Sequence, residues 1–267
     1  MKASTPVTMQ RRVPSAFPRR SALPAIASAL IVLFAGCESG GAGTGTPAVS
    51  SDGGASGAGH MSGIALDSAA VEGWASQVTA YRPGREVTGF GDVEAAIGPA
   101  SGIATEVLVL GRGGSVTVRF SESVANRDGA EFAVFENGLG TVESLFAELA
   151  YVEVSSNGTD FARFPVSSGR DETVGAYERV DTADYSGFAG LHPRGTGTAF
   201  DLAELSGEPE VAAGRVDLRS ISYIRLVDVI GDGSETDGAG SPIYDPYPTS
   251  GTAGFDLDGV AYLGGGP

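Results

Sequence analysis

Most residues that could do chemistry are crowded into one stretch, Ser222 to Leu263. Asp228, Asp232, Glu235, Asp237, Asp245, Asp256 and Asp258 all lie there within about thirty residues. Most have Gly or Pro beside them, and no Lys or Arg follows Arg225. Uncompensated carboxylates on loops are what a hard, oxygen-seeking cation uses, and Ca²⁺ is the first candidate. The expected ligands are Asp228, Asp232, Asp237, Asp256 and Asp258. Asp256 and Asp258 share a strand face with Val260, and Asp228 shares one with Ile224 and Leu226. A charge on an otherwise apolar face needs a partner, because burying it unpaired is very costly. The competing use of these aspartates is to cap turns by accepting backbone N–H groups. The run from Asp232 to Asp237 is not an EF-hand loop. Its sixth position is Asp237 where Gly is required, and its twelfth is Ile243 where the bidentate Glu belongs. A calcium site would therefore join separate strand ends.

Other chemistries are more restricted. The chain holds one cysteine, Cys37, and two histidines, His60 and His192. There is no Gly-x-Ser-x-Gly elbow and no His cluster, which removes the usual serine, cysteine and zinc hydrolase arrangements. A carboxylate pair of glycosidase type, Glu136 with Glu148, survives. His192, beside Pro193 in a polar loop, is expected to be exposed. The Gly111–Gly114 run is not a phosphate cradle, since neither a helix nor Lys-Ser/Thr follows it. Tyr177, Tyr185, Tyr244 and Tyr247 lie in or near long loops, where aromatic rings can stack on a sugar. Pro242, Pro246 and Pro248 would stiffen that loop and lower its ordering cost on binding. The expected ligand contacts are Tyr244, Tyr247 and Tyr185, with Glu136 and Asn137 at a strand end.

The elements that must position these groups are strands. Val116, Val118 and Phe120 alternate with polar residues, the period of a half-buried strand. In Glu131 to Glu136 both faces are apolar, so this strand is central and covered on both sides. Glu148 to Ser156 and Asp160 to Pro165 read as a hairpin, with Asn157-Gly158 as a type I′ turn. Asn157-Gly158-Thr159 also fits a glycosylation sequon, but the turn accounts for it. Tyr223 to Ile230 and Phe255 to Leu263 are strands whose ends face each other. Val71 to Ala75 and Phe200 to Leu205 read as helical turns, and residues 166–199 as a long polar loop over a binding face. The class is all-β: a single jelly-roll-like β-sandwich with long loops and few short helical turns.

Outside this domain, residues 37–62 carry almost no apolar side chain larger than Val and read as a flexible tether, with the folded domain at 63–267. Arg11, Arg12, Arg19 and Arg20 precede a short apolar run, Ala25 to Phe34, too short to span a membrane. The following Ala35-Gly36-Cys37 resembles the lipobox of bacterial lipoproteins, with Phe34 where Leu is usual. The resemblance implies a signal peptide over 1–36, lipidation of Cys37 and attachment to a membrane by acyl chains. Glu38 after the cysteine would favour the outer membrane in that family. Five of the 17 basic residues precede Cys37, leaving 12 against 33 acidic, a balance of −21. A nucleic-acid partner is therefore not expected. With Cys37 lipidated, no disulfide is available.

Two resemblances bear on function. Tyr151 to Phe161 and Tyr223 to Val227 resemble paired strands of discoidin-like, galactose-binding-type jelly rolls. More specifically, a set of runs is similar to a group of bacterial cell-surface proteins. The runs are Val134 to Asn137, Glu148 to Ser155, Phe200 to Ala203, Ile243 to Thr249 and Gly254 to Asp258. That likeness implies an exported, often anchored β-sandwich, in some bacteria encoded near vitamin B12 uptake systems. The combined expectation is a membrane-anchored, non-catalytic module with a structural Ca²⁺, binding an extracellular glycan or small molecule. The alternatives are a surface lipoprotein capturing a cofactor such as cobalamin, and a carboxylate-dependent carbohydrate-active enzyme.

Overall fold

The computed structural model describes residues 60–87, 92–251 and 253–264. The expected signal peptide, Cys37 and the tether as far as residue 59 lie outside the described residues. In chain order the strands begin with β1 (Gly63–Ala65), β2 (Val71–Trp74), β3 (Gln77–Arg82), β4 (Leu108–Val109), β5 (Ser115–Val124) and β6 (Phe132–Glu136). There follow β7 (Leu139–Thr141), β8 (Ser144–Phe146), β9 (Ala150–Ser155), β10 (Ala162–Arg163), β11 (Ser167–Ser168), β12 (Tyr185–Ser186) and β13 (Phe188–Ala189). The last are β14 (Thr196–Phe200), β15 (Ile221–Asp228), β16 (Asp232–Thr236), β17 (Pro242–Tyr244) and β18 (Asp256–Leu263). Among the described residues the one α-helical turn is α1 (Pro209–Ala212), so the all-β expectation holds.

Among the described residues the strands form two six-stranded antiparallel sheets and three two-stranded ones, β7-β8, β11-β12 and β16-β17. One six-stranded sheet runs β1-β14-β6-β18-β2, with β4 added to β18; the other runs β10-β9-β15-β5-β3, with β13 added to β9. Alternation builds the core between them. Val116, Val118 and Phe120 of β5, Val152 and Val154 of β9, and Ile224 and Leu226 of β15 share one buried cluster with Phe132, Val134, Leu257 and Val260 of the facing sheet. Each such burial contributes about 1.5–3 kcal/mol, so the alternation decides which sheet faces meet. As expected, β6 is central and covered on both sides. Its Phe135 packs on Trp74 with ring centroids 5.2 Å apart, while Phe132 stacks on Phe200 on the other side at 5.2 Å.

Several local expectations are corrected. Val71–Trp74 is not a helical turn but the edge strand β2, with Trp74 paired to Ala261. Thr196–Phe200 is not loop but β14, paired to both β1 and β6. It was hidden because Gly197 has no side chain; the ring of Phe135 occupies the space a Cβ would need. The 150–163 hairpin forms, with Ala162 opposite Val154. Its turn is not type I′, because Gly158 has positive φ (75°) and Asn157 does not. Instead the Ser155 hydroxyl accepts the N–H groups of Asn157 and Gly158, and the Asn157 side-chain oxygen those of Thr159 and Asp160. Residues 166–192 are not a solvated loop. Val174, Val180, Tyr185, Phe188 and Leu191 make a second apolar cluster with Tyr151, Val229 and Ile243. His192 is buried, with Nε2 2.9 Å from the Met61 carbonyl oxygen, so residues just before 63 also belong to the packed domain.

At one end of the sandwich two of the chain's changes of sheet come together. Residues 110–114 carry it from β4 in one sheet to β5 in the other, and residues 229–255 carry it from β15 back to β18. These crossings meet: the Asp228 N–H donates to the Gly114 carbonyl at 2.9 Å, and the Leu110 N–H to that of Phe255 at 2.9 Å.

Candidate functional site

At this end five carboxylates are buried together. Glu136 ends β6, Glu148 stands two residues before β9, Asp228 ends β15, Asp245 follows β17 and Asp256 opens β18. Each is no more than 4% exposed. Backbone amides hold most of them. Asp228 accepts the N–H groups of Gly113 (2.7 Å) and Phe255 (2.6 Å), Asp245 that of Leu149 (3.0 Å), Glu148 that of Gly254 (3.1 Å) and Glu136 that of Gly138 (2.6 Å). Asp256 accepts only from the Asn137 side-chain amide, at 3.1 Å through Oδ2, and its buried Oδ1 has no hydrogen-bond partner. Among the described residues none of the five is in an ion pair.

Burial pushes all five carboxyls up, and in Glu136, Glu148 and Asp245 repulsion from other members of the cluster adds to it. Asp228 and Asp256 are raised to about 7, by burial above all. Glu136 is raised well above the usual range by burial and then by the charge of Asp256. Glu148 is raised by burial and then by Asp256, Glu136 and Asp245. Asp245 is raised by burial, against the N–H of Leu149, and then by Asp228 and Glu235. So many like charges cannot all ionise without help: protons or a cation must neutralise the cluster.

The donor set is oxygen only, the chemistry Ca²⁺ takes. Glu148, Asp228, Asp245 and Thr249 line a cavity of about 10 Å³, the scale of one water or one ion. Arg112 lines it too, but its guanidinium is engaged by Glu86, by the Thr249 carbonyl and by the Tyr247 ring at 4.6 Å. Among the described residues no group of three or more His, Cys, Asp or Glu side chains is arranged to hold a metal ion. A cation would therefore have to draw these oxygens inward.

The five expected metal ligands do not assemble. Asp228 and Asp256 join the buried cluster. Asp232 accepts the Ser234 N–H at the protein surface. Asp237 caps its own turn through the N–H groups of Ala239 and Ser241 and also accepts that of Ser168. Asp258 accepts from Ser101 and Gly102 at 2.8 and 2.9 Å. The residues that complete the cluster are Glu148 and Asp245, with Glu136. Their signal was present, since four of the runs quoted above contribute one acid each: Glu136, Glu148, Asp245 and Asp256.

The expected ligand contacts are also redistributed. Tyr185 is buried, its hydroxyl donating to the Tyr244 carbonyl at 2.7 Å, so it fastens the loop and does not face a ligand. Tyr244 is half-buried and packs on the second apolar cluster, while Tyr247 lies against Arg112. Glu136 is buried, and Asn137 is occupied by Asp256 and the Ala104 carbonyl. Among the described residues the exposed aromatic is Tyr177, 76% exposed. It borders a surface cleft of about 300 Å³ with Leu139, Phe146, Arg179 and Ser250, and Glu148 and Thr249 complete the lining. Glu148 and Thr249 line both this cleft and the interior cavity, so they form the wall between them.

The chain matches no protein-family model and no curated protein. Among the described residues no helix is long and apolar enough to cross a membrane.

Proposed function

We propose that this protein is an exported, membrane-tethered and non-catalytic binding module. Its buried acidic end takes up Ca²⁺, and the adjoining cleft receives a glycan. The observation that carries this reading is the buried Oδ1 of Asp256, left without a partner beside Glu136 and Glu148 in a cluster that no ion pair neutralises. An unsatisfied buried carboxylate oxygen is costly, and a divalent cation offsets the charge of several acids at once. The cleft supports the second half: Tyr177 offers a ring for stacking, Leu139 and Phe146 an apolar wall, and Arg179 a donor. An anchor at Cys37 would hold this surface outside the cell. The test is to follow melting with and without Ca²⁺ and to screen neutral oligosaccharides, with Tyr177→Ala as the variant that should lose binding.

One observation favours a second reading. Glu148 stands at the wall between cleft and cavity with its carboxyl raised by burial, the direction in which a glycosidase's general acid is shifted. Turnover of a glycoside, lost in Glu148→Gln, would replace the non-catalytic reading.

A further inference from the structure

A different surface carries a charge that the acidic chain does not lead one to expect. On the outward face of the second sheet, cross-strand register sets Arg163, Glu153, Arg225 and Thr117 side by side across β10, β9, β15 and β5. Arg82 of β3 lies opposite Ser115 on the neighbouring strand. The three arginines line one depression of about 500 Å³, together with Phe161 and Tyr223. Glu153 is the acid among its lining residues, and it is spent on two of them. It binds Arg163 through Nε and a terminal nitrogen, each at 2.9 Å, and it binds Arg225 through Nε. One carboxylate against three guanidiniums leaves the depression with two net positive charges in a chain that from Cys37 onward has 12 basic residues against 33 acidic.

The guanidiniums are also held in place. Arg225 lies over the Phe161 ring at 3.8 Å and Arg163 over the Tyr151 ring at 4.2 Å, contacts that fix the planar groups while their side chains stay 35% and 45% exposed. The Arg82 side chain is exposed and has no hydrogen-bond or ion-pair partner among the described residues. Each guanidinium carries five donors in a fixed fork that fits a carboxylate bidentately, and most of these donors remain unspent.

We infer that this arginine-lined face binds an acidic oligosaccharide, with a uronate carboxylate seated between Arg82 and Arg225 and a sugar ring against Tyr223. The overall acidic charge sets the limit on the ligand. A densely sulfated polymer would be repelled by the rest of the molecule, whereas a sparsely charged oligosaccharide meets only the local positive field. This inference rests on the glycan-binding reading but uses residues the cleft does not.

The test is calorimetric binding of the full-length protein to a galacto-oligosaccharide carrying a single galacturonate, to its neutral galactose counterpart and to a heavily sulfated glycan. The expected result is binding of the uronate that weakens with added salt and falls tenfold or more in both Arg82→Gln and Arg225→Gln. Arg82→Gln should melt with wild type, since Arg82 holds nothing in place. Equal affinity for uronate and neutral sugar, preference for the sulfated polymer, or wild-type uronate affinity in both arginine variants would overturn it. If neutral sugar binds and only Tyr177→Ala loses it, the cleft reading stands and this one fails. If uronate binding depends on Arg82 while Tyr177→Ala is silent, the reverse holds.

Discussion

The Asp228 carboxylate accepts the Phe255 N–H at 2.6 Å, tying the end of β15 in one sheet to the start of β18 in the other. Gly254, just before Phe255, makes that approach possible. It has φ of 77°, and a Cβ there would collide with the Asp228 carboxylate. Gly254→Ala should destabilise the protein by about 1–3 kcal/mol, through backbone strain and a displaced acceptor. Urea unfolding measures this, and a midpoint equal to wild type would show that the tie is dispensable.

Tyr185 makes the opposite case, a loop tyrosine that serves packing. Tyr185→Phe keeps the ring against Phe188 and loses only the bond to the Tyr244 carbonyl. It should cost about 1 kcal/mol and leave glycan affinity unchanged. A large loss of binding without a loss of stability would return Tyr185 to the ligand surface.

Tyr177 should behave in the reverse way. Because it is 76% exposed, Tyr177→Ala should change stability by no more than about 0.5 kcal/mol. Binding of neutral oligosaccharide should fall about tenfold, the loss of roughly one ring-stacking contact. Unchanged affinity, measured alongside an unchanged melt, would take the cleft out of the account.

The acid cluster fixes the sign of the pH dependence. Asp256 titrates near 3.8 when unfolded and at about 7 when folded, so between those values the folded state holds more protons. Stability must then fall as pH rises through that window and level off above it. Asp228 acts in the same window, and Glu136, Glu148 and Asp245 act in the same direction. Asp256 alone corresponds to about 4 kcal/mol at 1.36 kcal/mol per unit. In chelator, thermal melts should therefore be higher at pH 5 than at pH 8; a higher melt at pH 8 would contradict the coupled-cluster account.

How far the sequence revealed this follows from what each residue's neighbours do. The alternation of Val116, Val118 and Phe120 and the two apolar faces of β6 are local patterns, and both were readable. β14 was not, because Gly197 makes room for a ring sixty-two residues away in the chain, and no local period records that. The acidic stretch was recognisable as a site, yet its membership was not. Asp232 and Asp237 are spent on turns within a few residues, whereas Glu136 and Glu148 reach Asp256 only through the sandwich topology. Tyr185 and Tyr177 are eight residues apart in one loop, and only packing decides that the first is buried and the second exposed.

The most direct test of the central claim is the melting temperature of metal-stripped protein titrated with Ca²⁺ at pH 8 and again at pH 5. Binding to the native state alone adds about 2.7 kcal/mol at a hundred times Kd, a rise of roughly 5–10 °C for a domain of this size. That rise is expected at pH 8, with a smaller one at pH 5 where protons already neutralise the cluster, and its loss in Glu148→Gln combined with Asp256→Asn. A melting temperature that Ca²⁺ does not move at pH 8, in protein that chelator also leaves unchanged, would contradict it.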